Sequence, residues 1–428
     1  SDGDEIQLFA GYNEIDEARY IVERIKSWAA EGNLYAESAI LYRSNAQSRV
    51  LEEAMLRSQV PYRIYGGQRF FERAEIRNVL SYMRLVSNRD ADAAIERVIN
   101  TPTRGIGAKS VSEIRLLART ADISLWQASK KIVAEGLLTG RARNAIRLFM
   151  ELIDKLDEQT VEAELSELVE TIVEGSELKA YYEKEGGEKG QARIENLAEL
   201  VTAARTFDPL DSIFNTDVDA GEAPPLTILD EFLAHAALEA GEGQGDPNDD
   251  CVQMMTIHSA KGLEFPLVFL AGMEDGLFPH MMSLEEPGRL EEERRLCYVG
   301  MTRAMVKLYL TYAESRRING SETFNRPSRF ISEIPEHVIK EVRLANSVVR
   351  PMSSSYTSYT SHSSRSALSS EVAGTNLRLG QRVSHNKFGE GIVLNYEGEG
   401  SSARVQINFE DVGSKWLVMA YANLTPIG

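Results

Sequence analysis

The stretch Ala39-Ile-Leu-Tyr-Arg-Ser-Asn45 decides the fold class. Four apolar residues in a row, without polar alternation, are typical of a strand buried on both faces of a parallel sheet. Polar residues follow at once, and residues 50–55 then show helical spacing. Outward from this stretch, residues 6–9 and 61–65 have strand character and residues 15–28 have helical character. This alternation of strands and helices predicts a parallel α/β sheet.

The α/β rhythm stops near residue 74 and returns at residue 252. Between these points almost every periodic stretch has helical spacing, which predicts a mostly helical domain. Strand patterns at 252–256, 267–271 and 307–312, and a helical pattern at 290–304, then resume the first rhythm. The simplest topology is one α/β domain split by a helical insertion. A ligand of such a sheet is expected at the carboxyl ends of its strands.

The end of the chain has a different composition. Residues 351–370 contain ten Ser and no acidic residue, which predicts a flexible linker. Residues 377–427 alternate apolar and polar residues between Gly-rich turns. That pattern predicts a small, strongly bent β-barrel.

Charge alone does not decide what the protein binds. The net charge of −18 argues against a nucleic-acid partner, but residues 206–250 carry twelve Asp or Glu and no Lys or Arg. This segment is rich in Gly, Pro and Asp and is interpreted as a solvated loop. The other residues carry 53 acidic and 47 basic side chains, so local basic surfaces remain possible.

Composition narrows the protein class and its location. Apolar residues make up 43% of the 428 residues and charged residues 26%, the mix of a soluble globular protein. No run of eighteen apolar residues predicts a membrane-spanning helix, and no membrane partner is expected. No signal peptide is visible, and the missing initiator Met suggests a processed chain or a fragment. Two cysteines without metal-ligand spacing exclude a disulfide scaffold and favour a reducing, cytoplasmic location.

Two segments place polar side chains beside predicted strands. Residues 255–265 carry Thr, His, Ser and Lys after a buried strand, which suits a phosphate or nucleotide edge or an ordinary turn with a Ser cap. In residues 41–49, Asn45 can cap a helix or contact a base. Both interpretations of each segment stay open.

Two further segments involve helix ends. Arg303 ends a helix that begins with three acidic residues. It can reach a transferring phosphoryl group across a cleft, or it can compensate the helix dipole. The glycines in residues 101–110 permit close backbone approach to a phosphate, or they form a plain turn between helices.

The chain has no complete nucleotide site of its own. It contains no G-x-x-x-x-G-K-[ST] motif, because Ala108 separates Gly107 from Lys109 in the one segment that approaches it. No strand ends in paired acids suited to Mg²⁺. The residues alone therefore indicate half of a nucleotide-handling protein.

Five segments together resemble the C-terminal half of UvrD/PcrA-type superfamily 1A DNA helicases, and the resemblance covers essentially the whole chain. The segments are residues 40–49, 66–73, 102–107, 256–265 and 291–304. The resemblance implies an enzyme that uses ATP with Mg²⁺ to move 3′ to 5′ along single-stranded DNA in excision and mismatch repair. The phosphate-binding loop and the Mg²⁺ ligands would lie on a first RecA-like domain that this chain lacks, so the chain alone is expected to be inactive.

The resemblance also implies a domain plan. The α/β domain would be the second RecA-like domain, 2A, and the helical insertion would be domain 2B. The implied boundaries are 1–75 and 251–338 for domain 2A, 76–250 for domain 2B, 339–375 for the linker and 376–428 for a Tudor-like barrel.

Roles for single residues follow by motif. Arg303 would be the arginine finger at the γ-phosphate of ATP, and Glu264 would hydrogen-bond the ribose. Thr256 and His258 would couple the nucleotide to the DNA track. The implied DNA contacts are Asn45 and His280, with Arg43 and Arg49 near phosphates, on single-stranded DNA, and Thr103, Gly105 and Gly107 on the duplex.

One position departs from the family pattern. The family often has an aromatic residue where this chain has Asn319, which cannot offer the same base-stacking face; Tyr312 or another ring can substitute.

A second interpretation is an interaction module with no enzymatic role. Lys415 beside Trp416 suggests a partner-binding patch, although Trp416 can equally fill the barrel core. In relatives such barrels dock on RNA polymerase, other parts meet mismatch- and excision-repair proteins, and self-association on DNA is a further possibility.

Overall fold

Seven parallel strands form the central sheet, as predicted. The computed structural model describes residues 4–208, 227–241, 249–285, 288–318, 321–342, 381–385, 389–397, 404–409, 413–418 and 424–426. The strands of its first unit, Ser1–Val348, are β1 (Ile6–Gly11), β2 (Ser38–Tyr42), β3 (Tyr62–Ile64), β4 (Val252–Thr256), β5 (Phe265–Leu270), β6 (Ala304–Ala313), the hairpin strands β7 (Arg316–Ile318) and β8 (Ser321–Thr323), and β9 (Ile339–Val342). The order across the sheet is β3-β4-β2-β5-β6-β1-β9.

Helices cover the sheet and form a separate layer. They are α1 (Glu14–Ala30), α2 (Ser48–Arg57), α3 (Ala74–Ser87), α4 (Asp92–Val98), α5 (Ala108–Ala121), α6 (Leu125–Glu135), α7 (Gly140–Thr160), α8 (Leu165–Gly175), α9 (Leu178–Glu185), α10 (Gly187–Thr206), α11 (Ile228–Gly241), α12 (Met281–Glu285), α13 (Arg289–Met301) and α14 (Arg329–Ser332). None of these helices combines the length and apolar character that a membrane crossing needs.

The burial of β2 explains its unbroken apolar run. All five residues of β2 are buried, because α1 and α2 pack on one face of the sheet and α13 packs on the other. Ile40 and Tyr42 belong to the first core, whereas Ala39 and Leu41 belong to the second. Helices α3 to α11 enclose a third core of their own, which includes Tyr82, Trp126 and Phe149. The predicted helical insertion is therefore present, although the exact domain boundaries stay predictions.

One segment departs from the prediction of a solvated loop over residues 206–250. Helix α11 lies inside it. Leu229, Phe232, Leu233 and Ala236 are buried against the helical core. Their i, i+3, i+4, i+7 spacing builds an apolar face that the surrounding charges conceal in the sequence. Residues 209–226 and 242–248 lie outside the described residues.

The region after residue 338 departs from the prediction of a linker at 339–375. Strand β9 pairs in parallel with β1 and closes one edge of the sheet. The Ser-rich residues 351–370 lie outside the described residues. So does Asn319, where the sequence departs from the family pattern.

The second unit, Val349–Gly428, contains a five-stranded antiparallel sheet. Its strands are β10 (Arg382–His385), β11 (Gly389–Glu397), β12 (Arg404–Phe409), β13 (Gly413–Val418) and β14 (Leu424–Pro426), in the order β13-β12-β11-β10-β14. An irregularity between Val393 and Asn395 bends β11 against β12. Lys415 lies in β13 opposite Ile407, and its side chain is outside the described residues. Closure into a barrel stays a prediction.

Candidate nucleic-acid interface

The chain turns sharply where β2 ends. The Gln47 Oε1 accepts hydrogen bonds from the backbone N–H of Arg43 at 3.0 Å and of Ser44 at 2.8 Å. The Arg73 Nη1 donates to the backbone oxygen of Asn45 at 3.0 Å. These contacts fix the backbone and leave the half-buried Asn45 amide with no side-chain hydrogen bond to any described residue. That amide is therefore available to a ligand.

The end of β4 lies beside this turn. The backbone N–H of Ile257 donates to Tyr42 O at 2.9 Å, which ties the two strand ends together. The Thr256 and Ser259 hydroxyls are 3.0 Å apart and close the turn. His258 lies on this turn with an exposed side chain. Desolvation by the protein around it, reinforced by the Arg43 guanidinium, lowers the pKa of His258 below its usual 6.5. At neutral pH the imidazole is uncharged and can both donate and accept a hydrogen bond.

The segment after β5 is anchored by a buried carboxylate that the sequence analysis missed. Glu293, in the first turns of α13, accepts from Arg43 Nε at 3.0 Å and Arg43 Nη2 at 2.7 Å. It also accepts from the backbone N–H of His280 at 3.2 Å. Burial opposes ionisation of Glu293, but these hydrogen bonds outweigh it and hold the pKa of the carboxyl below its usual value. One carboxylate thus positions two of the predicted DNA contacts.

These strand ends line one cleft of about 670 Å³. Five residues predicted for DNA contact or coupling share it: Arg43, Asn45, Thr256, His258 and His280. Thr256 ends β4, and the other four residues follow β4, β2 or β5, which are neighbours in the sheet, so all five lie at the carboxyl edge. The opposite wall is the turn between α9 and α10, where Gly186 and Gly187 both have positive φ. The structure therefore brings together side chains more than 200 residues apart in sequence.

Helix α10 supplies a second carboxylate that no sequence motif marked. Glu195 accepts a hydrogen bond from the Ser44 hydroxyl, and its Oε1 lies 3.1 Å from His280 Nε2. Gln191, one turn earlier, donates to the same carboxylate at 3.3 Å. Burial opposes ionisation of Glu195, but the hydrogen bonds of His280 and Ser44 outweigh it and keep the pKa of Glu195 below its usual value. An ionised carboxylate therefore joins the helical layer to the sheet inside the cleft.

Arg49 lies outside this cleft. Its guanidinium is buried and donates from Nε to Glu199 at 2.6 Å and from Nη1 to Glu53 at 3.1 Å. Glu199 is one turn beyond Glu195 on α10. In this structure Arg49 fastens α10 to α2, and its predicted contact with DNA phosphates stays a prediction.

The two residues predicted to meet ATP lie at the other edge of the sheet. Glu264 directly precedes β5 and Arg303 directly precedes β6, and these strands pair in parallel with Phe265 opposite Ala304. The Arg303 Nη1 donates to Leu263 O and its Nε to Val299 O, both at 2.9 Å. This amino-edge location differs from the carboxyl-edge ligand site expected for such a sheet. Residues 257–264 link the two edges.

The predicted duplex-contact loop joins α4 to α5. The Asn100 Oδ1 accepts from the backbone N–H of Arg104 at 2.8 Å and of Ile106 at 3.2 Å, which pins the loop inward. Thr103, Gly105 and Gly107 are left exposed. Gly105 has a φ of +80°, so its conformation requires glycine. Gly107 is extended, and an added Cβ would meet nothing, so the fold itself does not require glycine there.

The parallel sheet with its helical insertion is accompanied by family matches over most of the chain. The UvrD-like helicase C-terminal domain matches residues 1–315, and the PcrA/UvrD tudor domain matches residues 379–427. The chain belongs to the UvrD-like helicase C-terminal domain family, which confirms the resemblance found in the sequence.

Three relatives show how far the similarity extends. The chain is 54% identical over 427 residues to DNA helicase II of Escherichia coli (strain K12) and 49% identical over 426 residues to DNA helicase II of Haemophilus influenzae. It is 36% identical over 428 residues to the ATP-dependent DNA helicase PcrA of Staphylococcus epidermidis. Each match covers at least 99% of this chain, but the chain spans only 57%, 56% and 57% of these three relatives.

Proposed function

We propose that this chain is the C-terminal part of an ATP-dependent DNA helicase that moves 3′ to 5′ along single-stranded DNA and separates the duplex ahead of it. One observation carries the proposal: five polar side chains from three neighbouring strand ends line one cleft at the carboxyl edge. The family assignment supplies DNA as the ligand class.

A single strand of DNA can cross this edge at right angles to the strands of the sheet. Neighbouring strands are ~4.8 Å apart, so such a path meets the ends of β4, β2 and β5 in turn. The unbonded Asn45 amide can contact a base edge, and the neutral His258 can do the same. Glu293 holds Arg43 at the cleft wall through Nε and Nη2, and the Arg43 Nη1 can donate to a phosphate.

ATP would bind at the amino edge, against Arg303 and Glu264. The bonds from Arg303 to Leu263 and Val299 orient the guanidinium at the surface, where a γ-phosphate supplied by a facing nucleotide-binding domain can receive it. Glu264 is exposed beside it and can accept a hydrogen bond from the ribose. Mg²⁺ would accompany the ATP phosphates and be held by the facing nucleotide-binding domain, as in other enzymes of this mechanism.

The segment from Thr256 to Glu264 can transmit the nucleotide state to the DNA. It begins in the DNA cleft, at the end of β4, and finishes beside Arg303, at the start of β5. A shift of Arg303 on ATP hydrolysis would therefore move Leu263 O and, through eight residues, the Thr256 and His258 side chains. This is a loop-coupled change of grip of the kind that drives stepwise movement.

The loop carrying Thr103, Gly105 and Gly107 would hold the duplex. It leads directly into α5, whose first-turn N–H groups can bind a phosphate. Residues 101–148 carry nine Lys or Arg and three Asp or Glu, although the whole chain has a net charge of −18. The helical layer thus offers a local basic surface to the DNA backbone.

The cellular role that fits this activity is DNA repair in the bacterial cytoplasm, at the nucleoid. Nucleotide-excision and mismatch repair both need a strand removed after incision, which a 3′ to 5′ helicase can do. We also propose that copies of the protein associate on DNA, so that the single strand contacts the cleft of more than one copy.

A second function, docking on a protein partner, is favoured by the separate C-terminal unit. The PcrA/UvrD tudor domain match covers most of it. RNA polymerase is the partner we propose, with Lys415 in the contact, and repair proteins would meet other surfaces. Deletion of residues 351–428 is expected to leave unwinding intact and to remove this partner in pull-downs.

The unwinding assay tests the main proposal. The chain is joined to the preceding segment of its longer protein, and unwinding of a 3′-tailed duplex is measured for wild type, Arg303→Ala and the control Arg295→Ala. Arg295 lies on α13, the helix that precedes Arg303, is exposed and forms an ion pair with the exposed Glu292. We expect Arg303→Ala to lose about 10³-fold in ATP turnover and all unwinding, with DNA affinity within a few fold of wild type. Near-normal unwinding by Arg303→Ala would contradict the proposal.

A further inference from the structure

The Glu195 carboxylate occupies two hydrogen-bond donors inside the cleft. Its Oε2 accepts from the Ser44 hydroxyl, and its Oε1 lies 3.1 Å from His280 Nε2. Ser44 follows β2 and His280 lies beyond β5, so the donors come from two neighbouring strands of the sheet. This Ser44–His280 donor pair therefore holds one anionic group between two strand ends.

A phosphodiester resembles a carboxylate as a hydrogen-bond acceptor. Both groups spread one negative charge over two oxygens on a single atom, and both form charge-assisted hydrogen bonds with hydroxyl and imidazole donors. The donor pair and Glu195 line the cleft in which we propose the DNA strand. A phosphate of that strand can bind at the donor pair only after the Glu195 carboxylate has left it.

Glu195 is held less firmly than the next carboxylate on α10. The ion pairs of the described residues give Glu195 only the His280 imidazole as a partner, whereas Glu199 pairs with the Arg49 guanidinium at 2.6 Å. A second cavity of about 460 Å³ adjoins the cleft, and Glu195 lines both. Rotation about its side-chain bonds would therefore carry the carboxylate out of the cleft and into the second cavity.

Such a rotation leaves α10 in place. Asn196, the neighbour of Glu195, accepts from Arg73 Nη1 at 2.8 Å and donates to Glu75 Oε1 at 2.6 Å. The bond between Glu199 and Arg49 is likewise independent of Glu195. Displacement of this one side chain therefore does not require the helical layer to move.

We propose that Glu195 is an internal competitor of DNA phosphates, which holds the Ser44–His280 donor pair in the DNA-free cleft and is displaced from it by the single strand. The inference rests on the DNA track proposed above and assigns Ser44 and Glu195 to it. Glu195 acts through Ser44 and His280 and is a positioning residue. Each time a phosphate leaves the donor pair, Glu195 can return, so the competitor weakens the grip on DNA and lets the strand advance.

The direction of the change in affinity tests the proposal. Wild type, Glu195→Gln and the control Glu188→Gln, each joined to the preceding segment of the longer protein, are titrated with a labelled oligothymidine. Glu188 is exposed and lines the same cleft, but among the described contacts it has no bond to the donor pair. We expect Glu195→Gln to bind about tenfold more tightly, through about tenfold slower dissociation, because a neutral amide competes less well for the donors. Glu188→Gln should stay within about twofold of wild type.

A background without the donor pair separates competition from repulsion. In a protein that carries Ser44→Ala and His280→Ala, no donor is left to contest, so Glu195→Gln is expected to leave the affinity for oligothymidine unchanged. Repulsion through space between Glu195 and the phosphates would persist in this background and would fall with added salt. A gain in affinity that persists there would overturn the competition.

Unwinding of a 3′-tailed duplex gives a readout that a purely structural role would not move in this way. We expect Glu195→Gln to lower both the DNA concentration at half-maximal rate and the maximal rate, because a strand that is released slowly advances slowly. Equal or weaker affinity of Glu195→Gln for oligothymidine would overturn the competitor alone and leave the DNA track in place. Absence of any binding by wild type would overturn both.

Discussion

Glu195 and His280 meet inside the cleft, with the Glu195 Oε1 3.1 Å from the His280 Nε2. The first lies on α10 of the helical layer and the second lies beyond β5 of the sheet. Because Glu195 is ionised at neutral pH, it can only accept, so His280 must carry a proton on Nε2. The Glu195 carboxylate thus accepts the hydrogen bond of the imidazole that we propose for DNA contact. A DNA phosphate would have to compete with Glu195 for the His280 N–H.

This contact predicts a pH-dependent stability. The pKa of Glu195 is lowered in the folded protein, so its contribution is fully present above the ordinary value of 4.5 and is lost as the pH falls through the lower folded pKa. Glu195→Gln keeps the shape but removes the charge. We expect Glu195→Gln to have a lower melting temperature than wild type at pH 7. The difference in melting temperature should shrink as the pH is lowered below 4.5, and scanning calorimetry measures it. A difference in melting temperature that stays constant with pH would show that the Glu195 charge contributes nothing to stability.

The Arg43–Glu293 pair predicts a cost for removing one partner alone. Both side chains are mostly buried, with 20% and 6% exposed. Arg43→Gln leaves a buried carboxylate without its cation, and we expect a loss of about 3 kcal/mol in the free energy of unfolding. The double variant Arg43→Gln, Glu293→Gln should recover much of that loss, because no charge stays buried alone. Denaturant titration of the four proteins in a double-mutant cycle measures the coupling; strictly additive losses would contradict it.

Gly107 predicts a separation of stability from DNA binding. An added Cβ there meets no protein atom, so Gly107→Ala should fold normally. The new methyl group would, however, lie between the loop and a DNA backbone. We expect duplex affinity to fall about tenfold, the worth of one hydrogen bond to a charged group. Gly241→Ala is the control, since that glycine at the end of α11 also has open space around it and lies outside residues 101–148. Equal duplex affinity of Gly107→Ala and wild type would remove the loop from the interface.

The sheet was predictable because its signals are local. The apolar run at residues 39–42 and the polar residues behind it determine β2 and the turn at Asn45 from neighbouring residues alone. Glu195 was not predictable, because its partners Ser44 and His280 are brought to it by packing across 151 and 85 residues of sequence. Nothing about an isolated Glu in a helix distinguishes it from a solvated one.

Helix α11 was not predicted, although the sequence carries a local signal for it. Helix α11 shows apolar residues at 229, 232, 233 and 236, but the acidic composition around it favoured a loop. The position of Arg303 after a helix and before a strand already places it at the amino edge of a parallel sheet. The general expectation of a carboxyl-edge ligand did not anticipate this location, and the ATP contact of Arg303 stays a prediction.

The central claim is that the carboxyl-edge cleft binds single-stranded DNA, and Asn45 tests it most directly because its amide has no side-chain hydrogen bond within the described fold. The measurement is a fluorescence-anisotropy titration of a labelled oligothymidine with wild type, Asn45→Ala and the control His337→Ala, whose exposed imidazole lies just before β9. We expect Asn45→Ala to bind about tenfold more weakly, the worth of one or two hydrogen bonds, and His337→Ala to bind like wild type. Wild-type affinity in Asn45→Ala would contradict the assignment of this cleft to DNA.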